Sequence, residues 1–211
     1  MELQLALDDI TLDEALVLVE SVQEYVDIIE VGTPMVMEYG MTPVRKLKKL
    51  FPDKKVLADL KIMDAGEYEA EVAFRAGADY ITVLGVTDEL TVQGCIKAAR
   101  AHGGYVVTDM ICVKDMRGKI RRLEELGVDF ISVHTGVDQQ AMGRTPLDDL
   151  EVVRGTVKTA KISVAGGISE KTLPAYQKYE PEVVIIGSGI THADNPKEAA
   201  EKIYNMMKEY R

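Results

Sequence analysis

Apolar and polar positions along this chain switch repeatedly between two periods. Short runs rich in Val, Ile, Leu and Tyr read as strands: LQLALD (3–8), VDIIEVG (26–32), VLADLKI (56–62), YITVLG (80–85), YVVTDMI (105–111), FISVHT (130–135), KISVAGG (161–167) and VVIIGS (183–188). Between them lie stretches with helical spacing: TLDEALVLVESVQ (11–23), AGEYEAEVAFRAG (65–77), TVQGCIKAARAHG (91–103), MRGKIRRLEELG (116–127) and NPKEAAEKIYNMMKEYR (195–211). Gly77, Gly103 and Gly127 stand where helices end, as expected for left-handed C-terminal caps. Units of this kind, recurring roughly every 25 residues, demand a parallel sheet joined by crossover helices. A doubly wound open sheet is one solution. A closed barrel uses eight strands with none left over, and neither a linker nor a break interrupts the rhythm. The expected fold is therefore α/β, a single (β/α)8 barrel domain over residues 1–211, with the sixth unit longer than the rest.

Alternation along each strand then sorts side chains into a helix-facing set and an interior set. On the third strand Leu57, Asp59 and Lys61 point inward, while Ala58 and Leu60 pack on helices. On the first strand Leu3, Leu5 and Leu7 share one face, and Gln4, Ala6 and Asp8 the other. Ile28 and Glu30 alternate with Ile29 and Val31; Ser132 and His134 alternate with Ile131 and Val133; the fifth strand offers Asp109. Five strands thus end in polar residues around one cavity at the C-terminal mouth, where barrels of this type place their chemistry. Charges enclosed there cost several kcal/mol each unless paired or metal-bound. One reading makes Glu30 and Asp8 structural partners of Lys61. The other has Glu30 and Asp59 hold a divalent cation through oxygen ligands, few enough to leave positions for substrate and water, as Mg²⁺ is usually bound.

The bulk properties narrow the partners. The chain carries 25 Lys and Arg against 35 Asp and Glu, a net charge of −10, which argues against nucleic acid or an anionic membrane as the main partner. No apolar run approaches a membrane span, and Met1 is followed by an acid rather than a basic leader. Two cysteines, Cys95 and Cys112, read as reduced thiols of a cytoplasmic protein, with Cys112 a packed thiol because no base is paired with it.

Glycines follow the last two strands: Gly166 and Gly167 after the seventh, Gly187 with Ser188 and Gly189 after the eighth. Barrels build phosphate sites there from backbone N–H groups, so a phosphorylated substrate is expected even for an acidic protein. Of the three histidines, His134 is the one on an inward strand face, beside other ionisable groups, which suits proton transfer. His102 reads as a satisfied core residue at a helix end, and His192 as part of a surface turn.

The D-x-K-x-x-D run of Asp59, Lys61 and Asp64 at the end of strand three resembles the orotidine 5′-monophosphate decarboxylase superfamily, and the likeness runs nearly end to end. Within it, VDIIEVGTP, VLADLKIMDAG, VVTDMICV and VHTGVDQQAMGRTPLDDL are similar to the branch of hexulose phosphate synthases. Its keto-gulonate phosphate decarboxylases usually carry H-x-S-R-D after strand six, where this chain has His134-Thr135-Gly136-Val137-Asp138, and tend to have glutamate where this chain has Asp109. The resemblance implies condensation of formaldehyde with D-ribulose 5-phosphate through an enediolate. It implies Mg²⁺ (or Mn²⁺) on Glu30 and Asp59, His134 as acid/base, Lys61 at the enediolate, and Asp8 and Asp109 orienting substrate hydroxyls or a water. It also implies a homodimer in which Asp64 reaches the neighbouring subunit's site.

Overall fold

The computed structural model of the chain describes residues 1–210 and is a closed parallel barrel in strand order β1 to β8. The strands are β1 (Glu2–Leu7), β2 (Ile28–Val31), β3 (Lys55–Ile62), β4 (Tyr80–Leu84), β5 (Tyr105–Asp109), β6 (Phe130–His134), β7 (Lys161–Ala165) and β8 (Val183–Ile186). Each expected strand is present, and β1 closes on β8 through Leu3↔Val184 and its neighbours. Around them run α1 (Leu12–Val22), α2 (Thr33–Tyr39), α3 (Thr42–Leu50), α4 (Gly66–Ala76), α5 (Glu89–His102), α6 (Met116–Leu126), α7 (Val137–Ala141), α8 (Leu147–Arg154), α9 (Leu173–Gln177), α10 (Ser188–Thr191) and α11 (Pro196–Glu209). Arg211, which the expected domain and final helix take in, lies outside the described residues.

Local chemistry explains the helix boundaries. Thr11 caps α1 in a reciprocal capping box with Glu14, and Asp88, Asp115 and Asn195 cap α5, α6 and α11. Gly77, Gly103 and Gly127 adopt left-handed φ at the ends of α4, α5 and α6. The periodicity names no helix between β2 and β3, yet α2 and α3 stand there. They are short pieces, each with Pro in its first turn and separated by Gly40 at φ 57°; α2 carries little pattern, whereas α3 buries Val44 and Leu47 opposite Arg45, Lys46, Lys48 and Lys49 over only nine residues.

Alternation divides the core as expected. Leu3, Leu5, Leu7, Ile29, Val31, Ala58, Ile131 and Val133 join the layer between sheet and helices. Ile28, Leu57, Tyr80, Val107, Phe130 and Val183 form a separate cluster inside the barrel, with Tyr80 edge-on to Phe130, which plugs the N-terminal half and leaves the C-terminal half to polar residues. Two minor expectations fail. His102 is exposed, stacked on Phe74 rather than buried, because it occupies the fraying last turn of α5. Cys112 is exposed rather than packed: at φ 62° it sits in the turn after β5, beyond the strand whose alternation would have buried it.

Candidate active site

The mouth is shaped by an irregularity in β3. Leu57 pairs with Tyr80 and Ala58 with Ile81, but Val83 then pairs with Ile62, so two extra residues, Leu60 and Lys61, are accommodated. Lys61 takes φ 47°, a conformation a lysine adopts at a cost of order 1–3 kcal/mol, and its N–H donates to Thr82 Oγ1 at 2.8 Å. Strain held in place by a neighbour is a mark of a functional position, and here it directs the ammonium toward the buried Asp59.

From Lys61 the polar side chains form an unbroken line. Its Nζ donates to Asp59 Oδ2 and to Thr33 Oγ1 (3.0 Å), and lies 4.0 Å from Asp109 Oδ2. Asp59 also accepts from Thr82 Oγ1 (2.7 Å) and Thr33 Oγ1 (2.8 Å). Asp109 Oδ2 is 2.8 Å from His134 Nδ1, while its Oδ1 accepts from the Ile111 N–H. On the adjoining strands the buried Glu30 accepts from Gln4 Nε2 at 2.6 Å. Asp8 stands at the rim, packed against Gly32: a Cβ on Gly32 would lie 2.1 Å from Asp8 Oδ1 and 2.7 Å from the Leu7 carbonyl oxygen, so a side chain there would displace the acid.

The electrostatics follow from this crowding. Burial, then the charges of Asp59 and Asp8, push Glu30 up to about 8. Burial and Asp59 likewise raise Asp8. Burial works against ionised Asp59 too, but the Lys61 ammonium and the hydroxyls of Thr82 and Thr33 hold it below the usual carboxylate range. For Lys61 burial opposes the charge and Asp59 outweighs it, leaving the ammonium above the ordinary lysine value. For His134 burial again opposes the charge, and the hydrogen bond and charge of Asp109 prevail, raising the imidazole.

Four acids thus face one lysine and one histidine, so this mouth holds more carboxylate than its own cations neutralise. That imbalance fits a divalent cation on Glu30 and Asp59. Among the described residues no group of three or more His, Cys, Asp or Glu is disposed to hold a metal, so two carboxylates would leave the remaining positions to oxygens from outside the chain.

The loops after β7 and β8 close the opposite side. Gly166 (φ 123°) and Gly167 (φ 66°) need glycine conformations, and a Cβ on Gly166 would meet the Thr135 carbonyl oxygen at 2.7 Å. Gly187 precedes Ser188, the first residue of α10, and Gly189 backs onto Ile168 of the neighbouring loop, bringing the two glycine turns together. Asp64, by contrast, is exposed on the β3–α4 loop, its Oδ1 accepting from Ala65 N–H, and has no hydrogen bond to the cluster. His192 pairs with Asp9 on the surface.

Sequence reasoning missed Thr33, Thr82 and the role of Gln4. Thr82 was available from alternation, since it follows the inward Tyr80 by two; Gln4 shares a face with Asp8; Thr33 begins a short helix and carries no periodic mark.

Replacing Asp109 by Asn removes the charge that raises His134. If neutral His134 is the base, the acid limb of the kcat/KM profile is expected to move to lower pH, with a fall in the plateau from loss of the imidazole's fixed orientation. A profile with an unmoved limb would show that His134 is not the group titrating.

This is a barrel with an acid–base cluster at its C-terminal mouth, and the chain belongs to the orotidine 5′-phosphate decarboxylase / HUMPS family, which it matches over residues 1–203. It is 47% identical over 207 residues to 3-hexulose-6-phosphate synthase of Bacillus subtilis (strain 168), covering 98% of this chain and 99% of that one. The crystal structure of 3-hexulose-6-phosphate synthase from Salmonella typhimurium is similar with a TM-score of 0.98, 52% identity and full coverage of both chains. That of 3-keto-L-gulonate-6-phosphate decarboxylase from Vibrio cholerae is more distant, with a TM-score of 0.87 and 26% identity over 100% of this chain and 98% of that one.

Proposed function

We propose that the chain joins formaldehyde to D-ribulose 5-phosphate in a reversible aldol condensation giving D-arabino-3-hexulose 6-phosphate. The observation that carries this reading is the line His134–Asp109–Lys61–Asp59 across the mouth, in a chain that is 42–52% identical to synthases. Position 137 separates it from the decarboxylases: Val137 is 79% exposed at the start of α7 and brings no guanidinium to the mouth.

His134 removes a proton from the carbon next to the substrate ketone, and Asp109 keeps the imidazole oriented. Asp109 accepts one hydrogen bond on each oxygen and keeps acceptor capacity, so Asp8 and Asp109 together orient the substrate hydroxyls or a water. Lys61 donates to the oxygen that becomes negative. The enediolate carbon then attacks formaldehyde. A C–C bond forms, the carbonyl π pair moves to the aldehyde oxygen, and that oxygen takes the proton held by His134, so nothing is oxidised or lost. Mg²⁺, with Mn²⁺ as its substitute, is the group that Glu30 and Asp59 would hold, and when bound it supplies Lewis-acid stabilisation of negative charge. Gly166, Gly167, Gly187 and Ser188 receive the phosphate through backbone amides; among the described residues the N–H groups of Gly166 and Gly167 have no acceptor.

The enzyme works as a homodimer in the cytoplasm, as one catalytic domain. In support, no helix among the described residues is long and apolar enough to cross a membrane, both cysteines are free, and Asp64 lies among the exposed Met63, Tyr68 and Leu90, positioned to serve a second subunit. If so, His134→Asn and Asp64→Asn, each poorly active alone, restore about a quarter of wild-type activity when refolded together in equal amounts, since half the dimers are mixed and each of those holds one intact site. Activity no higher than that of the separate variants would place Asp64 in its own subunit's site.

The reaction itself is tested by an NMR time course with ¹³C-formaldehyde, ribulose 5-phosphate and Mg²⁺ beside a chelated control. Label in the C1 hydroxymethyl group of a hexulose phosphate, seen with metal alone, is the expected result. Absence of label transfer by a folded sample would remove the assignment.

A further inference from the structure

Four buried hydroxyls have no hydrogen-bond partner among the described residues: Thr108, Thr135, Ser163 and Thr191. A buried orphan hydroxyl costs about 1–3 kcal/mol, so each invites the question of what it is for. Thr108 lies on the helix-facing side of β5, between the inward Val107 and Asp109, and Thr135 lies under Gly166. Ser163 is different. It is 2% exposed, and its neighbours Ile162 and Val164 both belong to the outer layer, so its side chain faces the barrel interior.

The strand register places it within the chemistry. Ser163 on β7 pairs with Ser132 on β6, Ser132 pairs with Asp109 on β5, and one step nearer the mouth His134 pairs with Ala165. Ser132 is 5% exposed, and its hydroxyl, which is not fully enclosed, also makes no hydrogen bond among the described residues. Beneath the two serines lies the apolar plug, with Phe130 two residues before Ser132 and Val183 opposite Ser163. On the β6–β7 wall, then, two hydroxyls without a protein partner and the methyl group of Ala165 stand next to His134 in the strand register, while the neighbouring strands carry long charged side chains.

We infer that Ser132 and Ser163 form the subsite for the one-carbon aldehyde, an inference that rests on the aldol reaction proposed above. Formaldehyde offers a single carbonyl oxygen that accepts hydrogen bonds and becomes negative as the C–C bond forms. Two hydroxyl donors next to the imidazole that finally protonates that oxygen match this need. The small side chains also set a size limit: an aldehyde with a substituent on its carbonyl carbon meets Ala165 and the plug.

The experiment separates the two half-reactions. In D₂O without formaldehyde, the wild-type holoenzyme with Mg²⁺ is expected to exchange the C1 proton of ribulose 5-phosphate, which needs His134 and not the aldehyde subsite. Ser163→Ala should leave that exchange within about twofold of wild type and raise KM for formaldehyde about tenfold, with KM for ribulose 5-phosphate little changed. Its Tm should hold or rise, because the orphan hydroxyl is gone. Ser132→Ala is the second variant, expected to act in the same direction and to stand in if Ser163→Ala fails to fold. An unchanged KM for formaldehyde in both variants overturns the subsite, and a lowered Tm with that result assigns the Ser163 hydroxyl to a buried water. Exchange and condensation slowed in step also overturn it, since the serines would then serve the proton-transfer step. If the wild-type enzyme neither exchanges the proton nor condenses, the aldol reading itself fails.

Discussion

Replacing His134 by asparagine is expected to lower kcat by about two to four orders of magnitude while leaving phosphate and metal binding near wild type. The imidazole sits on β6 with Nδ1 toward Asp109 and is half-buried, so its other nitrogen is the atom left to face a substrate. Asparagine keeps a polar group of similar reach that can still engage Asp109, but it has no basic nitrogen. The loss should therefore fall on kcat more than on KM for ribulose 5-phosphate. Exchange of the C1 proton in D₂O should fall by the same factor as condensation, since one base serves both. Steady-state kinetics with both substrates, together with that exchange rate, check the prediction. Turnover within about tenfold of wild type would take the acid/base role from His134 and pass it to Lys61 or a water held by Asp109.

Much of this was legible in the chain because a barrel enforces alternation. Once eight strands were counted, the inward set of Asp8, Glu30, Asp59, Asp109, Ser132 and His134 followed from a period of two, and the structure keeps each on its expected strand except Asp8, which stands one residue past the end of β1. Lys61 faces the mouth as well, but not by simple alternation: the two-residue insertion in β3 and the positive φ of Lys61 deliver it, and neither has a mark in the sequence, where glycine would normally announce such a backbone. The partners that satisfy Asp59 were the least visible part. Thr33 and Thr82 are 26 and 23 positions from Asp59, ordinary residues made functional only by closure of the sheet. Cys112 and His102 were misplaced for a related reason, since one lies just past the end of β5 and the other is the last residue of α5, where periodicity stops predicting burial.

Removing divalent metal is expected to abolish condensation, by about three orders of magnitude or more, and the same site should show itself without turnover. In the metal-free protein Glu30 is raised to about 8 from an ordinary value of 4.5 by burial and by the charges of Asp59 and Asp8. A carboxyl with a raised folded-state pKa contributes stability that is complete below its unfolded value and is lost as pH climbs through the window from about 4.5 to 8. Metal-free protein should therefore melt at lower temperature at pH 8 than at pH 6. On the proposed site Mg²⁺ would compete with the proton on Glu30, so the rise in Tm on adding saturating Mg²⁺ should be larger at pH 8 than at pH 6. Glu30→Gln keeps the volume and a hydrogen-bonding group opposite Gln4 but carries no charge to lose or to coordinate. Its Tm should depend less on pH through that window and respond little to Mg²⁺, and its condensation should fall close to that of the chelated wild type. A Glu30→Gln variant stabilised by Mg²⁺ as strongly as wild type would place the metal elsewhere in the mouth and return Glu30 to a purely structural partnership with Gln4.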